Sequence, residues 1–317
     1  MRHYFIVNPC SGPADCTPQV KKALEGFRGQ FDFEVYATKA PGDATRFVRE
    51  MCEKYQEPLR FYACGGDGTL NEVVNGAALQ KHAAVGCFPC GSGNDFVKYF
   101  GGKQHFADIG AVLAAPAKSI DVMKVNDKFC VNVANTGFES KVAHRMIRFR
   151  RFAFFTSQRA YYPAIVMTLF DGMHNKCRIT ADGEKIFDGD MLLCTMANGE
   201  YEGGSFRAAP RASVMDGLME VCAVKSLSIF KVPKAIGQYQ RGEHLDSEYL
   251  KPYIVYRRAR QVIVEADTPF LMALDGEIHS GNRFVVDLIP GGLNFIVPHG
   301  AFHAGDEALA ARADAAV

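Results

Sequence analysis

The stretch Cys64–Gly76, with the sequence CGGDGTLNEVVNG, constrains this chain more than any other. A short apolar run containing Phe61 and Tyr62 precedes it and favours a strand. From Leu70 onward, apolar residues recur at helical spacing, which predicts that the glycines lie in a tight turn between a strand and a helix. Such a turn opens onto the free N–H groups of a helix N-terminus, which favour a bound anion such as phosphate.

Asp67 is unusual in this turn because it puts a negative charge where a phosphate would lie. The arrangement makes chemical sense if a divalent cation is shared between the carboxylate and the phosphate, as kinases arrange it. The stretch does not match the Walker pattern G-x-x-x-x-G-K-[ST], and the Rossmann fingerprint is absent from this place. A Gly-rich turn that binds no ligand is the alternative interpretation.

The GGDGT loop is shared by lipid kinases, NAD kinases and phosphofructokinases. The longer stretch Gly65–Gly76 resembles the catalytic domain of diacylglycerol kinases, especially their soluble bacterial branch. Two other loops extend this resemblance. Asn8–Gly12 is similar to the family's N-P-x-S-G-K loop, although Pro13 replaces the lysine. Pro89–Phe96 is similar to the family's P-x-G-T-x-N-D-F segment, with Ser92 in the threonine position, where its hydroxyl can still bind a phosphate.

The resemblance implies that ATP and Mg²⁺ are the cofactors. Asp67 and Asp95 match the acids that would share the cation with the phosphates, and Thr38 matches a threonine that contacts the nucleotide. The implied nucleotide-binding residues are Asn8, Ser11, Thr38, Cys64, Gly65, Gly66, Asp67, Gly68, Thr69, Leu70, Glu72, Gly91, Ser92 and Asn94.

The sequence Asp275-Gly-Glu277 follows a strand-like run and resembles the D-G-E motif to which the family assigns its catalytic base. The resemblance therefore implies that Asp275 or Glu277 takes the proton from the attacking hydroxyl, without choosing between them. An Asp-Gly pair is also a common hairpin turn, and this structural interpretation stays open. The implied catalytic residues are Asp67, Asp95, Asp275 and Glu277.

A second metal site is implied by the stretch Pro210–Val221. It resembles an element that holds a structural Mg²⁺ in bacterial relatives through an aspartate side chain and nearby carbonyl groups. Asp216 matches the aspartate, and Ser213 and Leu218 match the carbonyl positions. Met215 stands where the family often has a further acid. A simple β-turn at Asp216 is the alternative.

Strand and helix patterns alternate up to about residue 120, which predicts a doubly wound parallel sheet. Strand-like runs dominate afterwards and predict an antiparallel β-sandwich. We therefore expect a nucleotide-binding α/β domain over residues 1–122 and a β-sandwich that binds the lipid substrate over residues 123–290. The segment 291–317 is expected to return to the first domain.

Composition limits the partners and the location of the protein. The 317 residues carry a formal net charge of +1, which gives no reason to expect nucleic acid as a partner. No apolar run approaches the ~20 residues that span a bilayer, so we expect a cytoplasmic protein. The segment Arg145–Phe155 mixes arginines with phenylalanines, which suits peripheral contact with the anionic inner membrane surface. A solvated helix face with buried phenylalanines is the alternative for this segment.

The sequence thus predicts an ATP-dependent lipid kinase that phosphorylates the hydroxyl of a lipid alcohol, with diacylglycerol as the first candidate and phosphatidic acid as its product. Two alternatives stay open: a soluble-substrate kinase of the NAD kinase type, and a catalytically silent lipid-binding protein. The acids at positions 67, 95, 275 and 277 argue against a silent protein. A homodimer is compatible with the sequence, which does not determine the oligomeric state.

Overall fold

The first third of the chain alternates strands and helices. The computed structural model describes residues 1–12, 14–91, 93–149, 163–164, 167–168 and 175–301. The strands of this part are β1 (Arg2–Val7), β2 (Asp32–Ala37), β3 (Leu59–Gly65) and β4 (Ala83–Pro89). Its helices are α1 (Thr17–Leu24), α2 (Asp43–Lys54), α3 (Asp67–Ala77) and α4 (Ile109–Ala114).

These four strands form a parallel sheet in the order β2-β1-β3-β4. The order reverses beside β1, since β2 lies on one side of it and β3 on the other. Ligands of open α/β sheets bind at such a reversal, outside the carboxyl ends of the strands. The turns after β1, β3 and β4 lie at that edge and contain Asn8, Gly66 and Gly91.

The second part of the chain is mainly antiparallel. Its strands are β5 (Ala117–Val125), β6 (Lys128–Cys130), β7 (Val133–Gly137), β8 (Asn175–Ala181), β9 (Glu184–Ala197), β10 (Met219–Lys225), β11 (Ile254–Ala259), β12 (Gln261–Leu274) and β13 (Glu277–Ile296). Its helices within the described residues are α5 (Phe138–Phe149) and α6 (Val232–Gln240). The predicted fold class, a parallel α/β domain followed by an antiparallel β domain, is confirmed.

The last strand, β13, belongs to both parts. Its first half pairs with β12, its second half pairs with β5, and its end runs parallel to β4 at the pair Asn294–Ala84. Phe295 near this end stacks on Phe100 of the first core, with ring centroids 5.4 Å apart. β5 runs across residue 122, so the two parts are joined by continuous strands and not by a linker.

Some sequence predictions fall outside the described residues. These include the phosphate contact predicted for Ser92 and position 13, where Pro13 replaces the family's lysine. The segment Arg145–Phe155 lies only partly within the described residues, which do not include residues 150–155 or the side chains of residues 147–149. Its proposed membrane contact stays a prediction. No helix of the described residues is long and apolar enough to cross a bilayer.

Candidate active site

Two glycine turns touch at the carboxyl edge of the parallel sheet. The amides of Cys90 and Gly91 each donate to the carbonyl of Gly65 at 3.0 Å. A Cβ atom at position 91 would lie well inside van der Waals distance of the Gly66 backbone, so this position requires glycine. The side-chain amide of Asn94 donates to the same Gly65 carbonyl at 2.9 Å. The turns thereby form one rigid backbone surface, which we call the glycine platform (Gly65–Thr69 and Gly91).

Asp67 fastens the segment after β4 to the first turn of α3. Its carboxylate accepts the backbone N–H groups of Asn94 at 2.7 Å and Asp95 at 2.6 Å. Burial and, second, the nearby charge of Asp95 raise the pKa of Asp67 to about 6, although the two amide hydrogen bonds oppose this rise. A negative charge at Asp67 is therefore costly unless a cation joins it.

Asp95 links this site to the β domain. Its side chain forms an ion pair with Lys98 and accepts the backbone N–H of Gly204 at 2.9 Å. Lys98 also donates to the Gly204 carbonyl at 2.6 Å. Lys98 thus places a positive charge directly beside Asp95 and holds the loop after β9 against the α/β domain.

The fit of Mg²⁺ to Asp67 and Asp95 can be judged from these contacts. Both carboxylates already accept protein donors, and no group of three or more His, Cys, Asp or Glu side chains within the described parts of the chain could hold a metal. Mg²⁺ in phosphoryl-transfer enzymes is commonly held by one or two carboxylates together with substrate phosphates. The pair therefore fits a cation that arrives with the nucleotide, and not a metal cage made by protein alone.

Several predicted nucleotide residues have other roles or can contribute only backbone atoms. Glu72 accepts the amides of Gly42 at 2.9 Å and Ala44 at 3.1 Å, so both of its carboxylate oxygens cap the start of α2. Both oxygens of the Glu72 side chain are thus occupied by protein donors, and its predicted nucleotide contact stays a prediction. The side chains of Cys64 and Leu70 are buried in the core, which leaves their backbone atoms as the groups that a nucleotide could touch.

The other predicted residues lie along the same sheet edge. Asn8 accepts the amide of Cys10 at 3.0 Å, and the resulting turn brings Ser11 beside the glycine platform. Thr38 directly follows the end of β2, and its amide donates to the carbonyl of Val7 at the end of β1 at 2.8 Å. The hydroxyl of Thr69 is buried at the start of α3 and finds no hydrogen-bond partner among the described residues.

Asp275 lies in the hairpin turn between β12 and β13, with φ angles of +48° at Asp275 and +91° at Gly276. Its carboxylate is enclosed by five donors. They are the Asn71 side-chain amide (3.0 Å), the Cys130 thiol (3.1 Å) and the amides of Val131 (2.9 Å), Asn132 (3.0 Å) and Val133 (3.0 Å). A carboxylate surrounded in this way has no open lone pair directed at a substrate. These contacts join the hairpin to β6, β7 and α3, and they occupy the carboxylate that the resemblance offers as one of two candidate bases.

Glu277 has the opposite character. Its side chain is exposed, and its carboxylate oxygen would lie 3.4 Å from a Cβ atom added at Gly68. Glu277 therefore borders the glycine platform at the start of α3. Of the two acids in the D-G-E motif, Glu277 is the more exposed.

The second predicted metal site, at Asp216, does not fit a metal ion. The guanidinium of Arg258 forms an ion pair with the Asp216 carboxylate and lies 3.5 Å from Glu220. The remaining Asp216 oxygen accepts the amide of Leu218 at 3.1 Å. Arg258 thus supplies the positive charge that the resemblance assigns to Mg²⁺, while the contact implied for the Ser213 carbonyl stays a prediction.

Sequence reasoning missed a group of polar side chains beside this site. The Thr195 hydroxyl lies 3.0 Å from Glu139 and 2.7 Å from the Tyr239 hydroxyl, and Asn135 donates to Glu202 at 2.7 Å. Burial raises the pKa of Glu139. Burial and, second, the charge of the neighbouring Glu139 raise the pKa of Glu202 well above its usual value. We call these five residues the acid–tyrosine cluster. They come from β7, α5, β9, the loop after β9 and α6, so no local pattern could have predicted the cluster.

Comparisons with known proteins cover both parts of the chain. A model of the diacylglycerol kinase catalytic domain matches residues 2–125, and a model of the YegS C-terminal NAD kinase beta sandwich-like domain matches residues 132–297. The chain is 28% identical over 280 residues to a diacylglycerol kinase of Bacillus subtilis (strain 168), covering 87% of this chain and 89% of that protein. It is 27% identical over 285 residues to a diacylglycerol kinase of Staphylococcus carnosus (strain TM300), covering 87% and 88%.

A solved structure has the same architecture. The crystal structure of a proposed diacylglycerol kinase from Bacillus anthracis str. Sterne matches with a TM-score of 0.74 at 25% sequence identity. The match covers 94% of this chain and 97% of that one. The similarity therefore includes both domains and their relative arrangement.

The role of Asp275 can be tested through stability. We expect Asp275→Asn to lower the free energy of unfolding by about 2–4 kcal/mol, because the new amide group would face N–H donors that lose their acceptor. Asp287→Asn, on the same hairpin, should cost less than about 0.5 kcal/mol, since its side chain accepts a surface hydrogen bond from Gln261. Urea denaturation measures both, and equal stability of the two variants would contradict the assigned role.

The raised pKa of Asp67 predicts a pH dependence. The folded protein binds the proton of the Asp67 carboxyl group more tightly than the unfolded chain does. This difference stabilises the folded state fully below pH 3.8, and the stabilisation is lost as pH rises through about 6. Between pH 4 and 7, the wild type should therefore lose about 1–3 kcal/mol of stability relative to Asp67→Asn. Denaturation of both proteins at several pH values measures this difference, and parallel pH profiles would show that Asp67 titrates normally.

Proposed function

Because this chain belongs to the family of diacylglycerol kinase-like lipid kinases, we propose that it transfers the γ-phosphoryl group of ATP to the hydroxyl of diacylglycerol and produces phosphatidic acid. One observation carries the proposal: an exposed carboxylate, Glu277, borders a glycine platform at the start of α3. A phosphate-binding backbone and a proton acceptor are the two elements that phosphoryl transfer to an alcohol requires.

The glycine platform is the proposed site of the ATP phosphates. Backbone N–H groups at the start of α3 and the dipole of that helix favour an anion there. The absence of side chains at Gly66 and Gly91 lets a phosphate approach the backbone closely. Asn8 and Thr38, on the neighbouring strand ends, are proposed to contact the remainder of the nucleotide, as the resemblance implies.

Asp67 and Asp95 are the residues that would hold Mg²⁺ beside the phosphates. When bound, this ion would neutralise charge on the transferred phosphoryl group and its neighbours. The pKa of about 6 at Asp67 supports this role, because a carboxylate that is costly to ionise alone gains most from a nearby cation. The Lys98 ammonium, paired with Asp95, adds a permanent positive charge at the same edge.

Glu277 is proposed as the general base that accepts the proton of the lipid hydroxyl. Asp275 is proposed as a positioning residue, since its hydrogen bonds fix the turn from which Glu277 projects. This division of roles explains why the motif needs two acids: one holds the hairpin in place, and the other faces the substrate.

The acid–tyrosine cluster is proposed to line the polar end of the lipid site. Glu202 lies two residues before Gly204, whose backbone is bonded to Asp95, and the charge of Asp95 contributes to the raised pKa of Glu202. An apolar cluster that includes Phe138, Leu193 and Phe206 adjoins it and suits acyl chains. A lipid substrate also implies that the protein acts at the membrane surface, which supports the predicted peripheral contact with the inner membrane.

A panel of acceptors tests the choice of substrate. Purified protein would be incubated with labelled ATP, Mg²⁺ and one acceptor at a time. The acceptors are detergent-dispersed diacylglycerol, ceramide or a sphingoid base, and NAD as the soluble alternative. Mass spectrometry should identify phosphatidic acid as the main product. A different main product would replace diacylglycerol as the substrate, and phosphorylation of NAD alone would favour the soluble-substrate alternative.

The proposed base gives a second prediction. Glu277→Gln should lower kcat by at least about 10²-fold, because the hydroxyl proton loses its acceptor. The affinity for ATP should change little, since the glycine platform is unaltered. Glu265→Gln is the matched control, because Glu265 lies on the same hairpin in a surface ion pair with Arg283 and should keep wild-type turnover. Steady-state kinetics with ATP calorimetry measures both; full activity of Glu277→Gln would exclude it as the base.

A further inference from the structure

An exposed apolar tip lies at the start of α6. The side chain of Phe230 is 91% exposed and that of Ile229 is 40% exposed. Both belong to a short 3₁₀ helix, Ile229–Lys231, which leads directly into α6. No step of the proposed phosphoryl transfer uses these side chains. We call Ile229 and Phe230 the apolar tip.

Lysines surround the apolar tip. Lys225 ends β10 and is exposed, while Lys231 and Lys234 lie over the rings of Tyr253 and Tyr249 at 4.8 and 4.3 Å. Within five residues of the tip along the chain, the ionisable residues are Lys225, Lys231 and Lys234, which are all basic. Glu248 is already paired with Lys251 at 3.2 Å. The surface around the tip is therefore basic.

The apolar tip is connected to the proposed substrate site by one helix. α6 runs from Val232 to Gln240 and carries Tyr239, whose hydroxyl lies 2.7 Å from Thr195 in the acid–tyrosine cluster. At 1.5 Å per residue, the nine positions from Phe230 to Tyr239 span roughly 13 Å. A membrane in contact with the tip would thus lie within about one short helix of the polar end of the lipid site.

We propose that the apolar tip and its lysines are the surface with which this protein docks on an anionic lipid membrane. An exposed aromatic and an aliphatic side chain can enter the boundary between headgroups and acyl chains, while lysines remain among anionic headgroups. Tyr249 and Tyr253, whose rings these lysines contact, are of a residue type that is enriched at membrane interfaces. The proposal rests on the proposed function only in its choice of a membrane, and not a protein, as the partner.

The charge distribution favours a membrane of anionic lipids over a neutral one. Polybasic surfaces are attracted to the negative potential of such membranes, and salt screens this attraction. Binding should therefore weaken as ionic strength rises, whereas a purely apolar contact would not depend on salt in this way.

Vesicle co-sedimentation of the full chain tests the proposal. Wild-type protein should bind phosphatidylcholine vesicles that contain phosphatidylglycerol and bind pure phosphatidylcholine vesicles more weakly. The double variant Ile229→Ser, Phe230→Ser should bind the anionic vesicles at least about tenfold more weakly, because it removes the inserted apolar surface. The matched control is Leu79→Ser, a change at a 50% exposed leucine of the α/β domain, which should leave binding unchanged.

Two further measurements separate this proposal from the proposed function. The double variant should keep the wild-type thermal melt and wild-type turnover of detergent-dispersed lipid, since neither side chain belongs to the active site. Tip-dependent vesicle binding in a protein without kinase activity would support docking and reject the proposed function. Equal vesicle binding by wild type and the double variant, or no binding by wild type, would overturn the proposal and leave the tip as a contact for a protein partner.

Discussion

The geometry of the candidate site depends on the hydrogen bonds that the Asp275 carboxylate accepts. This carboxylate accepts hydrogen bonds from α3, through Asn71, and from the backbone that joins β6 to β7. The hairpin between β12 and β13 is thereby fixed against the α/β domain. Glu277, two residues further along, borders Gly68. An acid enclosed by hydrogen-bond donors thus lies two residues before an exposed one.

The continuous strand β13 extends this constraint through the molecule. It begins at Glu277 beside the glycine platform and ends parallel to β4 inside the first core. Asp95, bonded to Gly204, forms a second connection across the same cleft. Hydrogen bonds and a shared strand thus connect the two parts of the chain at the candidate site, and positioning of this kind is the main contribution that a protein makes to phosphoryl transfer.

Local patterns predicted the parts of this structure that depend on neighbouring residues. Apolar runs and glycines were sufficient for the sheet, the Gly65–Thr69 turn and the change to antiparallel strands after residue 120. The roles of Asp275, Glu72 and Asp216 could not be read in this way, because their partners lie far away in the sequence. Asp275, for example, binds residues more than 140 positions earlier. An Asp-Gly pair looks the same in a sequence whether its carboxylate is enclosed or open, and the apolar tip at Phe230 looks like core.

A crystal structure with a non-hydrolysable ATP analogue and Mg²⁺ is the most direct test of the account. We expect the terminal phosphate within hydrogen-bond distance of the amides at the start of α3, the ion beside Asp67, and the Glu277 carboxylate facing that phosphate, while Asp275 keeps its five donors. A nucleotide bound away from the glycine platform, or Asp275 turned towards the phosphate in place of Glu277, would contradict the central claim that a fixed hairpin presents Glu277 to a phosphate held by the glycine turns.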